Sequence, residues 1–471
     1  MTRVVIVGGG PGGYEAALVA SQLGGEVTLI DTDGLGGSAV LTDCVPSKTL
    51  IATAEVMSEV KKSPELGLRF GPEGQGTIES NVHVDLAAVN RRVTELAARQ
   101  SSDIAGRLTA EGIRLLSGRG RLDGPERVVA ATADGEETIG ADVVLIATGA
   151  HPRVLPEAVP DGERILTWTQ VYGLAELPER LIVVGSGVTG AEFASAYDAL
   201  GAEVVLVSSR EHVLPGEDPD AAKVLEDVFT RRGMTVLSRS RAAAVARDAC
   251  TVTVTLTDGR AVSGSHCLLA VGSIPNTGQI GLAEAGVSLD RGGFVTVDRV
   301  SRTSARGVYA AGDCTGVLML ASVAAMQGRI AMWHALGDAV APLDLRSVSS
   351  NVFTSPEIAT VGATQAQVDS GAVRAIGVTL PLATNARAKM QGIHDGFVKL
   401  FCLPATGIIV GGVVVAPRAS ELIHPISVAV AERITVDQLA HDFTVYPSLS
   451  GSIAEAARRL HGHSTAQLTT V

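Results

Sequence analysis

The stretch Val4–Asp31, VVIVGGGPGGYEAALVASQLGGEVTLID, is matched in kind by Leu181–Ser208, LIVVGSGVTGAEFASAYDALGAEVVLVS. Each reads as an apolar strand, a glycine turn, an Ala-rich amphipathic helix, a Gly-containing turn and a second apolar strand. Such a pattern is a βαβ unit, so two parallel-sheet domains of one type are expected. Each half is followed much later by another matching pair, Val143–Arg153 (VVLIATGAHPR) and Cys267–Asn276 (CLLAVGSIPN). The second domain is therefore nested inside the first.

The fold class expected is α/β, with two nested Rossmann-like dinucleotide-binding domains and a C-terminal α+β domain. The outer domain takes 1–150 and 276–345, the inner one 151–275, and the third part 346–471. From about Val348 that third part alternates β-branched strands with two helices and carries no motif of its own, which reads as an interface or dimerisation layer. Between the first βαβ unit and its return strand lies a region expected to be helical, roughly Pro46–Ala105. Its final part, Asp85–Gly118, has the apolar spacing of an amphipathic helix.

The chain has 471 residues, 46% of them apolar, enough for about three domains with buried cores. Its 53 glycines and 3% aromatics suit α/β layers in which backbones approach helices or ligands closely. A net charge of −12 argues against nucleic acid or an anionic membrane surface as partner. Five scattered cysteines with no CxxC point to a reducing, cytoplasmic setting. Met1-Thr2-Arg3 runs straight into the strand Val4–Val7, so no signal peptide is expected. The longest apolar run, Gly407–Pro417, is about half a membrane span, which gives no stable membrane insertion. The ten histidines show no HExxH or paired ligand spacing, and no metal is expected.

Gly8-x-Gly10-x-x-Gly13 follows a strand and opens a helix. Gly8 permits the tight turn, Gly10 lets the backbone approach a pyrophosphate, and Gly13 lets helix and strand pack closely. Asp31 stands eighteen residues after Gly13, at the end of the second strand, where a carboxylate can accept both ribose hydroxyls. Gly185-x-Gly187-x-x-Gly190 repeats the pattern with the same spacing, but Ser208 stands where the acid would be. Loss of the carboxylate removes repulsion of a 2′-phosphate, and Ser208, Ser209 and Arg210 can donate to one, which favours NADPH or at least tolerates it, with NADH possible. The alternative for Arg210 is a solvated surface loop. Gly312-Asp313 follows a small-residue strand, and Asp313 there can accept from a ribityl chain. The helix start near Leu320 and Ala321 offers a positive dipole to a flavin pyrimidine. In Gly36–Lys48, GGSAVLTDCVPSK, Pro46 suits a first helical turn, which puts Cys44 at a helix N-terminus. A lone Cys there is more often structural than catalytic.

At these residues the chain resembles the flavoprotein disulfide reductases, dihydrolipoamide dehydrogenases most of all, and within them the quinone-reducing kind without the cysteine pair. The likeness runs from Val4 to about Ala457. It includes both glycine fingerprints, Ala310–Asp313 (AAGD), Phe353–Gly362 (FTSPEIATVG), Asn385–Ala388 (NARA) and Tyr446–Gly451 (YPSLSG). The resemblance implies FAD at Gly8, Gly10, Gly13, Asp31, Gly37, Lys48, Gly120, Thr148, Gly149, Gly312, Asp313, Leu320 and Ala321. It implies a nicotinamide dinucleotide at Gly185, Gly187, Val188, Gly190, Ser208, Ser209, Arg210 and Gly272, with Val188 gating the nicotinamide pocket. Lys48 and Glu192 match the family's lysine beside flavin N5 and its carboxylate partner; the alternative for Lys48 is an exposed helix lysine.

The family's redox motif GGxCxxxxCxPSK has two cysteines, and here the first position is Ala39, leaving Cys44 alone. The family's His-Pro-x-x-x-Glu base, supplied by the partner subunit, corresponds to Tyr446, Pro447 and Gly451. Thiol–disulfide chemistry needs two sulfurs and a base, so disulfide reductase activity is not expected and Cys44 is read as vestigial. The expected activity is NAD(P)H oxidation through FAD with a quinone-like small molecule as acceptor, in a homodimer where Tyr446 faces the partner. A soluble pyridine nucleotide transhydrogenase is the runner-up, and a low-turnover flavin-containing NAD(P)H sensor the reading from another class.

Overall fold

The computed structural model describes residues 1–69 and 82–468, with side chains as far as His461. One compact unit gathers Met1–Thr49, Ala88–Arg153 and Gly272–Asp344. Its seven-stranded sheet has the order Val308–Ala310, Val143–Ile146, Arg3–Val7, Glu26–Asp31, Arg114–Leu122, Arg127–Thr132 and Gly135–Gly140. The first five strands are parallel, and the last three form an antiparallel meander. Helices cover one face of the parallel centre, and Leu122, Val128 and Ala130 of the meander with Ile280–Val295 cover the other. Its strands are therefore apolar on both faces, and Val4, Val5 and Ile6 are each at most 1% exposed.

The helix Pro11–Gln22 leaves the first strand through the glycine turn, with Pro11 in its first turn. It packs on the helix Ala321–Ala335 so closely that a Cβ at Gly328 would meet the Gly12 carbonyl oxygen at 2.1 Å. Arg329 and Glu15 pair across that contact at 2.8 Å. A short antiparallel ribbon, Ala150–Pro152 with Ser273–Pro275, marks where the chain leaves this unit and returns.

The other unit gathers Leu50–Ala87, Val154–Val271 and Leu345–Val471. Its parallel sheet has the order Thr235–Leu237, Glu203–Val207, Arg180–Val184, His266–Leu269 and Ile165–Thr167. The same unit holds a three-stranded antiparallel sheet (Ala242–Arg247, Val252–Leu256, Ala261–Gly264) and a five-stranded antiparallel one. The latter runs Ser349–Val352, Glu357–Gly362, Ile409–Ala416, Phe397–Cys402, Ile376–Pro381 and buries Val398, Leu400, Val414, Ile426 and Ala456. Lys399 of this sheet is 2% exposed, and its ammonium donates to Asp218 at 2.8 Å, Asp220 at 2.7 Å and Gln365 at 3.1 Å.

Two sequence expectations change. The amphipathic run to Gly118 is helix only over Leu86–Ala110, because Gly112 turns left-handed (φ +74°) and Arg114–Leu122 becomes a strand. Residues 70–81 of the expected helical region lie outside the described residues. The third part carries more than two helices: Gln365–Asp369, Ala386–Met390, Ala419–Leu422, His424–Ala431 and Val436–His441 precede Gly451–Leu468. Most are too short to show a helical period and start on side-chain caps, as at Thr364, Asn385 and Thr435. Among the described residues, no helix is long and apolar enough to cross a membrane.

Candidate functional site

In the first unit the three fingerprint glycines divide the work as their spacing requires. Gly8 (φ +108°) sits so close to the return strand that a Cβ would meet the Ala147 oxygen at 2.2 Å. A Cβ on Gly13 would meet the Gly8 oxygen at 1.9 Å, so helix and strand touch there. At Gly10 the only neighbour of such a Cβ is Gly37 Cα at 4.0 Å, which leaves open space in front of the helix. Gly10 is the N-cap, and no side chain caps the helix. Pro11 has no N–H and Gly13 N donates to the Gly10 oxygen at 2.9 Å, so Gly12 N is the first-turn donor that can meet an anion, which the helix dipole also favours.

Asp31 lies beside this turn, its Oδ2 accepting from Gly9 N at 2.6 Å and its Oδ1 from Asp33 N and Gly34 N at 2.9 and 2.7 Å. These backbone donors fix the carboxylate and leave Oδ2 a lone pair for a ribose hydroxyl. Thr148 and Gly149 follow the return strand and are tied down by Asn276, which donates to the Thr148 oxygen at 2.8 Å. Gly312 N donates to the buried Gln327 Oε1 at 2.9 Å, fixing the turn that carries Asp313. Burial, helped by the charge of Asp43, pushes the Asp313 carboxyl up to about 6. Within the described residues it takes no side-chain hydrogen bond, a state suited to a sugar-alcohol hydroxyl. Leu320 is the N-cap of the helix Ala321–Ala335, again without a capping side chain. Gly37 packs on the Gly10 turn, where a Cβ would come within 2.8 Å of Gly10 Cα.

The second unit repeats the device. A Cβ at Gly185 would meet the Ala270 oxygen at 2.1 Å, and one at Gly190 the Gly185 oxygen at 1.8 Å. Nothing lies within 4 Å of a Cβ at Gly187, the uncapped start of the helix Val188–Leu200. By contrast the neighbouring helix Pro219–Arg231 is capped by Asp218. Val188 stands 43% exposed at the open end of its helix. Glu192, one turn on, is 3% exposed and accepts from Phe353 N at 2.8 Å. Gly272 (φ +95°) lies in the first unit, where its carbonyl accepts from Arg153 N at the connecting ribbon.

Two residues sit differently from expectation. Ser208 is wholly buried, its hydroxyl 2.7 Å from Ser186 Oγ and accepting from Arg210 N at 3.1 Å. It is engaged inside the turn, and only Ser209 and Arg210 reach the surface. Gly120 faces the sheet interior: a Cβ there would meet Val7 Cγ1 at 2.8 Å, so packing already requires its glycine.

Cys44 opens the helix Cys44–Lys62, partly exposed, with Lys48 one turn further. The other cysteine of its unit, Cys314, is fully buried and donates its thiol to the Ala311 oxygen at 3.3 Å; burial pushes that thiol up to about 11. Tyr446 is 85% exposed on the segment before the last helix, beside Phe443 (100%) and Val445 (78%). Among the described residues, no group of three or more His, Cys, Asp and Glu is arranged to hold a metal ion.

Paired glycine turns of this construction lead directly to a family. The model for pyridine nucleotide-disulphide oxidoreductases matches residues 2–328, and the model for that family's dimerisation domain matches 348–457. The chain belongs to the pyridine nucleotide-disulphide oxidoreductases. An NAD(P)H dehydrogenase (quinone) from Mycobacterium tuberculosis is 56% identical over 479 aligned positions, which cover 100% of this chain and 96% of the relative. A dihydrolipoyl dehydrogenase from Zymomonas mobilis is 33% identical, covering 98% of each. The crystal structure of LpdA from Mycobacterium tuberculosis superposes with a TM-score of 0.92 at 56% identity, over 98% of this chain and 100% of that one. Members of this oxidoreductase family use FAD and NAD(P)H. The two open, uncapped helix starts, the Asp31 carboxylate held by backbone N–H groups and the partly buried Asp313 carboxyl are a chemical fit for those dinucleotides.

Proposed function

We propose that the chain is an NAD(P)H:quinone oxidoreductase that carries electrons from NADPH through FAD to a quinone without a redox disulfide. The observation that carries this reading is the loss of the second sulfur that a redox disulfide at Cys44 would need. Ala39 occupies the partner position, and Cys314, the other cysteine of the same unit, is buried with its thiol committed to backbone oxygen. The 56% identical relative named as a quinone-reducing NAD(P)H dehydrogenase supports the choice of acceptor. The net reaction is NADPH + H⁺ + quinone → NADP⁺ + hydroquinone.

FAD belongs to 1–150 with 276–345, and the nicotinamide dinucleotide to 151–275. Bound FAD supplies the two-electron store that links a hydride donor to the acceptor. The chain's own residues hold and bias it. The helix start at Gly10 takes the pyrophosphate, Asp31 a ribose, and Asp313 a ribityl hydroxyl. Lys48 places a cation where the reduced ring gathers negative charge, and Glu192 keeps the partner role that the resemblance gives it. The helix start at Gly187 takes the nucleotide pyrophosphate, Val188 flanks the nicotinamide, and Ser209 and Arg210 favour a 2′-phosphate, with NADH as the weaker donor. The part from 346 onward makes a homodimer, in which a second copy covers the exposed Phe443, Val445 and Tyr446. Scattered cysteines remain the support for a cytoplasmic setting.

Anaerobic titration of the FAD-loaded protein tests this. One two-electron equivalent of dithionite per flavin should bleach the flavin fully, and a quinone should restore it within the turnover time. A requirement for two equivalents would show a second two-electron store and overturn the proposal.

A further inference from the structure

In the parallel sheet of the second unit, the strands Glu203–Val207 and Thr235–Leu237 run side by side, with Val207 opposite Leu237. The residues leaving their carboxyl ends, Ser208–Arg210 and Ser238–Ser240, are therefore neighbours. Ligands of open α/β sheets bind beyond that end. Two backbone bonds fasten the segments: Ser240 N to the Ser208 oxygen at 2.7 Å, and Arg239 N to the Arg210 oxygen at 2.8 Å. The buried Ser208 hydroxyl braces the same ribbon, bonded to Ser186 in the glycine turn and to Arg210 N.

This ribbon sets the exposed side chains of Arg210 and Arg239 on one rim. Arg239 has φ +52°, a left-handed conformation that glycine or asparagine adopts far more readily than arginine. The backbone thus calls for a small residue, and the position carries a cation. Its guanidinium pairs with Glu211, and both side chains are mostly solvated, at 73% and 60% exposure. Exposed pairs hold weakly, so a phosphate can replace that carboxylate at little cost. The nearby Arg260 is committed elsewhere, to Asp258 and to Ser240 Oγ.

We infer that Arg239 is a specificity residue that grips the 2′-phosphate of NADPH together with Arg210. A guanidinium fork meets phosphate oxygens two at a time, and two forks from adjacent strands enclose the group. Ser208 serves as a brace for this rim, and Glu211 is the counter-ion that Arg239 releases when the phosphate arrives. The inference rests on the NADPH reading above and adds to it a residue from a different strand.

The test is calorimetric binding of 2′,5′-ADP and 5′-AMP to the oxidised FAD-loaded protein, for the native chain, Arg239→Asn and Glu211→Gln. Asparagine accepts the left-handed backbone, so the fold is kept. The native chain should prefer 2′,5′-ADP. Arg239→Asn should weaken 2′,5′-ADP by roughly 10- to 100-fold, as loss of a charge-assisted pair does, with 5′-AMP unchanged. Glu211→Gln should tighten 2′,5′-ADP. If the native chain binds both probes equally, the NADPH reading fails and the Arg239 assignment falls with it. If the native chain prefers 2′,5′-ADP and Arg239→Asn binds it as well as the native chain does, Arg239 is excluded while the NADPH reading stands.

Discussion

Ser186 Oγ and Ser208 Oγ lie 2.7 Å apart, out of solvent, at the place where the first βαβ unit has Gly9 N donating to the Asp31 carboxylate at 2.6 Å. The two halves of the repeat thus solve the same turn with different chemistry. A glycine N–H holds a carboxylate in one; two serines bind each other in the other.

Ser208→Glu should convert the second turn toward the first. Ser186 Oγ can donate to the new carboxylate, which accepts ribose hydroxyls and repels a 2′-phosphate. The NADPH/NADH ratio of kcat/KM should fall by roughly tenfold or more, the loss typical of a charged contact. An unmoved ratio would show that position 208 does not face the adenosine ribose.

Asp313 predicts a pH dependence in the FAD-free protein. Its folded carboxyl titrates near 6, above the ordinary value of 3.8, so the folded state binds the extra proton. Stability should be highest below the ordinary value and fall as pH rises toward 6 and beyond, by about 2–3 kcal/mol in all. Thermal melts of the stripped protein should give a higher Tm at pH 5 than at pH 7, and Asp313→Asn should flatten the difference. An equal slope in the variant would place the titrating group elsewhere.

Lys399→Ala should cost roughly 3–5 kcal/mol in chemical denaturation, because it strands the buried Asp218 carboxylate without its cation. Asp218 also caps the helix Pro219–Arg231, so the loss should spread to that helix. A change under about 1 kcal/mol would mean that the pair contributes no more than a surface bridge.

Lys48→Ala should slow NADPH-driven flavin reduction by about 10²-fold, the usual scale for removing one preorganised charge stabiliser. It should also make the flavin midpoint potential more negative. Rapid-mixing traces and a potentiometric titration report the two effects, and native values in both would remove Lys48 from the site.

The glycine turns were legible because a Cβ at Gly8, Gly13, Gly185 or Gly190 collides with backbone, a constraint that forces one residue type at fixed spacing. The place of Asp31 was legible for a similar reason, a carboxylate at a strand end beside the glycine turn, where Gly9 N donates to it. Ser208 was read as a surface donor because serine carries no sign of burial. Only the register that brings Ser186 under it reveals the brace. Gly120 was grouped with the ligand glycines, although Val7, two strands away in the same sheet, already excludes a side chain there. Arg239 went unnoticed because its neighbour Arg210 is on another strand. The one signal was Ser238-Arg239-Ser240 directly after an apolar strand, and only strand order gives that meaning. The short capped helices after Gln365 were hidden because local side-chain caps, not an apolar period, start them.

Cys44→Ser most directly tests the proposal that electrons leave the flavin without a thiol relay. Turnover of NADPH with a quinone should be measured on the FAD-loaded variant beside the native protein, with dihydrolipoamide as a second substrate. The account predicts that quinone turnover stays within about twofold of native, as expected when electrons leave the flavin without a sulfur step, and that neither protein oxidises dihydrolipoamide. Near-total loss of quinone turnover in a Cys44→Ser protein that still holds FAD would place Cys44 on the electron path and contradict it.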